Sequence, residues 1–71
     1  MRTNQFKIGT KVKQNYLNYT GVVIEIKSNK YIFEVNIKLD KPCTWQSQEF
    51  NQITAYKDMF TNQLQYIELD N

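Results

Sequence analysis

The sequence predicts a single all-β domain, and three observations carry that expectation. Residues 31–39 are the strongest, because Tyr31, Phe33, Val35, Ile37 and Leu39 alternate with Ile32, Glu34, Asn36 and Lys38. A strict period of two sends alternate side chains to opposite faces of a strand, a pattern that the helical period breaks. Residues 20–27 repeat the signal, with Val22, Ile24 and Ile26 on one side and Val23, Glu25 and Lys27 on the other. Chain punctuation supplies the third. Ser28-Asn29-Lys30 is short enough for a hairpin connection, with Asn29 the residue best able to take a left-handed conformation. Asp40-Lys41-Pro42 closes the second run, since proline cannot donate to a ladder.

The flanking elements follow from weaker patterns. Residues 6–13 read as a lead-in, a turn at Gly9 and a short strand that buries Val12. Residues 64–69 read as a closing strand, with the inward choice between Tyr66 and Ile67 left open. Residues 44–60 admit two readings. Phe50, Ile53, Tyr56 or Lys57, and Phe60 recur at near-helical spacing, which suits an amphipathic helix. Phe50, Asn51 and Thr54 are weak helix formers, which favours a strand over roughly 48–55 and one helical turn at 57–61.

A chain of 71 residues holds one domain, 1–71, with 1–5 and 70–71 expected as flexible ends. So short a chain buries only about 60% of its unfolded surface, and some domains of this size add a metal or disulfide. With no histidine and a single cysteine, Cys43, neither device is open to this chain. Stability is left to apolar packing, for which one Trp, five Tyr and four Phe supply large surfaces. Cysteine usage fits a reducing cytoplasm, and no apolar run approaches the length of a membrane span. The surplus of Lys, Asn and Gln fits an AT-rich genome, such as that of a low-GC bacterium or one of its phages.

The net charge of +2 conceals an asymmetry. The basic residues Arg2, Lys7, Lys11, Lys13, Lys27, Lys30, Lys38 and Lys41 fall before residue 42, against Glu25, Glu34 and Asp40. Beyond it, Lys57 faces Glu49, Asp58, Glu68 and Asp70. Such polarity either steers an acidic partner or is an ordinary mixed-charge surface.

The order of elements resembles the SH3-like barrel, shared by SH3, KOW and Tudor-type modules. Ile8-Gly9-x-x-Val12, Gly21-Val22-Val23 and the run Tyr31 to Asp40 carry the resemblance, which spans about residues 6–69. It implies a five-stranded barrel with a short helical turn before the last strand, Gly21 letting the chain leave the first loop sharply, and Asp40 closing the third strand. The chain departs from signalling SH3 domains in lacking their acidic loop and paired Tyr and Trp positions, and from KOW segments in lacking their basic-glycine pattern.

Catalysis is not expected. There is no histidine to act as a base near neutrality, Cys43 lacks a histidine partner, and Gly9 and Gly21 are the only glycines, too few for a phosphate loop. No cofactor or metal is implied. Three binding readings remain. The first is a protein–protein module, an accessory subunit or inhibitor that docks a larger protein, using Tyr16, Tyr19, Ile32 and Trp45 as contacts and Lys11 and Lys13 to steer approach. Tyr16 and Tyr19 flank Leu17 in a loop expected to be exposed, where one of them also suits the barrel's open end. Trp45 serves equally as an anchor or as an end plug, and Cys43 as a semi-buried filler. The second reading is nucleic-acid binding, with Lys7, Lys11, Lys13, Lys27, Lys38 and Lys41 on phosphates and the aromatics stacking on bases. The third is self-association through outward Val23 and Ile32 or through a free edge strand, although a monomer is expected over a homodimer.

Overall fold

A computed structural model describes residues 6–70. All five strands run antiparallel: β1 (Lys11–Gln14), β2 (Tyr19–Ser28), β3 (Phe33–Trp45), β4 (Gln48–Lys57) and β5 (Ile67–Leu69). A 3₁₀ turn, Gln63–Tyr66, precedes β5. The strands order as β4-β3-β2-β1-β5 in one sheet. That sheet is not closed into a barrel, because β4 and β5 stand at its two ends and do not pair.

One face of the sheet makes the core. Val12, Val23, Val35, Ile37, Leu39 and Ala55 point into it, and Phe6, Leu64 and Ile67 cover it. The alternation in 33–39 is realised as expected, with Val35, Ile37 and Leu39 buried and Phe33 packed against them. Tyr31 departs from it and is 75% exposed, because β3 begins at Phe33. Residues 29–32 form the connection instead. Asn29 is not left-handed there; its side-chain Oδ1 accepts the N–H groups of Tyr31 and Ile32.

Val23 was expected on the outer face and is completely buried. The cause is a β-bulge. Val23 faces Ile37 while Glu25 faces Asn36, so Ile24 is an extra residue on β2. Parity reverses across it, and Val23 and Ile26 share the core side while Ile24 goes to solvent. Val23 is thereby removed from any outward dimer patch.

Pro42 does not end β3. Between the pairs Lys38–Gln52 and Cys43–Phe50, residues 39–42 of β3 lie opposite Asn51 alone. Proline sits in this irregular stretch, where no ladder bond to β4 needs its missing N–H. The strand then resumes and turns at Gln46 and Ser47, both with positive φ (50° and 63°). Trp45 is therefore the last residue of a strand and lies beside a tight turn, not on a loose connection.

Gly21 earns its place differently from the expectation. It pairs with Leu39, and a Cβ there would stand 2.5 Å from the Lys38 carbonyl oxygen and 2.7 Å from Ile37 Cγ2. Close approach of β3, not a sharp loop exit, demands glycine. The helical turn lies at Gln63–Tyr66, later than 57–61, since Asp58 folds residues 58–61 into a turn by accepting the N–H groups of Phe60 and Thr61. Ile67 is the inward residue and Tyr66 the exposed one. Asp70 donates its N–H to the Lys11 carbonyl (3.0 Å), while residues 1–5 and 71 lie outside the described residues.

Candidate functional site

The opening between the two ends of the sheet forms a groove of about 400 Å³. Phe50, Ile53 and Ala55 of β4 make one wall. Tyr66 and Ile67 make the other, Tyr16 and Leu17 come from the β1–β2 turn, Tyr19 from the start of β2, and Cys43 and Trp45 from the end of β3. No lining side chain bears a formal charge at neutral pH.

The β1–β2 turn owes its position to polar contacts. Gln14 is a buried residue on the core side of β1, and its Oε1 accepts the Leu17 N–H. Asn18 closes the turn in the left-handed region (φ 57°), which asparagine tolerates better than most residues. The Asn15 N–H donates to the Tyr66 carbonyl at 2.9 Å, tying this turn to the 3₁₀ turn. Two tyrosines meet as a consequence. The rings of Tyr16 and Tyr66 stand 5.8 Å apart at a 45° tilt, within the range of favourable aromatic pairs. Tyr16 remains 74% exposed and Trp45 54% exposed. Tyr19 is half-buried against the core, and that burial, with the electrostatic influence of Cys43 second, pushes its phenol up to about 12.

Of the residues singled out for protein contact, the structure brings Tyr16, Tyr19 and Trp45 together in this groove. Ile32 is not among them. It lies beyond the far end of β2, in a second hollow with Tyr31, Met59 and Phe60. Lys11 and Lys13 are exposed on the outer face of β1, opposite the core and away from the groove lining. Sequence reasoning missed Tyr66, Phe50 and Gln14. For Tyr66 alternation gave no signal, because it lies in the 3₁₀ turn, where a period of two does not apply.

The outer face decides how basic the molecule looks to a phosphate chain. Lys13 pairs with Glu68, and Lys27 with Glu34. Lys13 also pairs with Thr20, whose hydroxyl donates to Asp40 at 2.7 Å. Between these rows, Asn36 donates to Glu25 Oε1 at 2.8 Å and accepts the Thr54 hydroxyl. Lys11 and Lys38, both paired with Val22, form a cross-strand row that joins two lysines, with Asp70 at its end, where its N–H donates to the Lys11 carbonyl. Lys7 and Lys41 are exposed off these rows. Acids therefore interrupt the lysines.

The described residues hold no cluster of His, Cys, Asp and Glu able to bind a metal ion, and no helix is long and apolar enough to cross a membrane. Fold and groove together define a small antiparallel β domain with an uncharged aromatic concavity. The chain belongs to the family described as Domain of unknown function (DUF7258), whose model matches residues 2–69. No curated protein and no solved structure matches it significantly.

Proposed function

We propose that this domain is a non-catalytic protein-binding module, an accessory subunit or small inhibitor that docks a larger protein through the aromatic groove. The observation that carries the reading is the convergence of Tyr16, Tyr19, Trp45, Phe50 and Tyr66 on one uncharged concavity. Large, stiff aromatic side chains around a concave surface are the usual makings of an interface hot spot. The half-exposed Trp45 and the largely exposed Tyr16 present broad aromatic surface and have few torsions to freeze. Lys11 and Lys13, on the adjoining strand, steer an acidic partner toward the molecule.

We infer further that the architecture is an SH3-like barrel in its open form. The support is the strand order β4-β3-β2-β1-β5, with a single 3₁₀ turn between β4 and β5. In that arrangement the groove occupies the seam where the barrel would close.

Nucleic-acid binding is the second reading, favoured by the stacking surfaces and by the Lys11–Lys38 row. The paired acids Glu34 and Glu68 count against it, because a phosphate backbone crossing that face meets both signs of charge. The deciding experiment titrates single- and double-stranded DNA and RNA at low and at physiological salt, and runs affinity capture from a lysate of the source cells in parallel. The protein-binding reading expects a captured protein that Trp45→Ala no longer retains, and oligonucleotide binding that disappears at physiological salt. Oligonucleotide binding that persists there and shifts Trp45 emission would replace it with the nucleic-acid reading.

A further inference from the structure

We infer that the groove takes its partner as an added β-strand: an extended, uncharged segment that pairs with the free edge of β4 and lays alternate apolar side chains among the aromatics. The inference rests on the groove reading above and specifies the kind of partner.

Backbone chemistry carries it. β4 pairs with β3 on one side and stands at the end of the sheet. The Tyr56 N–H turns away from β3, since it donates to Gln63 Oε1 at 3.2 Å. Backbone groups alternate sides along a strand, so Thr54 and Gln52 present their N–H and C=O groups the same way. Among the described residues, Lys57 bridges Asn62 at the far end of this edge, and Gln63 covers Tyr56; nothing comparable covers Thr54 or Gln52. Thr54 also borders the groove, although its side chain points to the outer face and bonds Asn36. Its backbone is what the groove meets.

Unpaired N–H and C=O groups beside an apolar trough fit another backbone in extended form, and pockets for alternate side chains then give selectivity. Charge complementarity narrows the occupant. A charged side chain entering this uncharged lining would lose its hydration without gaining a counter-ion, so a neutral segment is selected. A proline-rich segment fits poorly, since it lacks the N–H groups that would answer the Thr54 and Gln52 carbonyls.

The test uses a phage-displayed library of random peptides about as long as β4. The best binder is synthesised with and without N-methyl groups on alternate residues, and the amides of the whole chain are followed by NMR hydrogen exchange. Strand addition predicts enriched neutral sequences with alternating apolar residues, slowed exchange at Gln52 and Thr54, and an affinity loss of about tenfold or more for the methylated twin that lacks the pairing N–H groups. Equal binding by both twins, with shifts at Tyr16 and Trp45 but no protection at Gln52 or Thr54, would overturn strand addition and leave the groove reading standing. A library that yields no binder would overturn both. Protection at those amides that rises with the concentration of peptide-free protein would assign the edge to a second copy and overturn the proposal.

Discussion

Gly21, Val23 and Tyr19 show how single residues set the geometry around the groove. At Gly21 the nearest obstacles include a backbone carbonyl, which cannot step aside as a flexible side chain would. Gly21→Ala is expected to destabilise the domain by about 1–3 kcal/mol, measured by urea unfolding. Tyr19 titrates late because its phenol is half-buried, and its pKa of about 12 lies above the ordinary 10.0. The sign follows from linkage. The unfolded chain loses the proton first, so stability tied to Tyr19 is intact below pH 10 and falls as pH rises toward 12. Ultraviolet titration should show a late tyrosinate step that vanishes in Tyr19→Phe. Tyr16, Tyr19 and Trp45 were recognisable from the sequence as binding candidates, because large aromatics stood where exposure was expected. Gln14 was not: a polar side chain in a short alternating strand gives no sign that it will turn back and hold the next turn.

Strands β2 and β3 were readable from their alternation, and their irregularities were not. Period-two patterning predicts faces only while the register holds, and the extra residue at Ile24 reverses the parity midway. Val22, Val23, Ile24 and Ile26 are all apolar, so composition alone does not reveal which one is displaced. Ile37 lies on β3, which gains no residue at the bulge, and keeps its expected place. Ile37→Ala should cost about 2–5 kcal/mol in thermal or urea unfolding, through a cavity at the centre of the sheet. The β3–β4 turn escaped notice for a different reason. Gln46 and Ser47 both adopt positive φ without the Asn-Gly signature that this geometry favours. Replacing the pair with Asn-Gly is expected to raise stability by about 1 kcal/mol and lift Tm by several degrees, with the fold unchanged by circular dichroism. A fall in Tm would show that Gln46 and Ser47 make compensating contacts.

For the whole molecule, the all-β class with five strands was legible, and closure was not. Whether two end strands meet depends on accumulated twist and on bulges such as that at Ile24, and these are spread over the entire sheet. The groove at the unclosed seam was legible only as separate residues. Residues from β3, β4, the 3₁₀ turn and β5 reach it through long-range pairing that no local pattern encodes. The same distance explains Ile32, whose apolar character was read correctly while its location, beside Phe60 (90% exposed), is a different part of the surface. Charge behaves likewise, since the basic first half of the chain is threaded by acids once Lys13 meets Glu68 and Lys27 meets Glu34.

The most direct test of the groove as a binding surface reads stability and partner capture side by side for Trp45→Ala and Tyr16→Ala. Exposed as they are, both variants should unfold within about 5 °C of the wild-type Tm and lose the captured protein. A large fall in Tm would show these side chains to be structural, and capture retained by both variants would place the binding surface elsewhere.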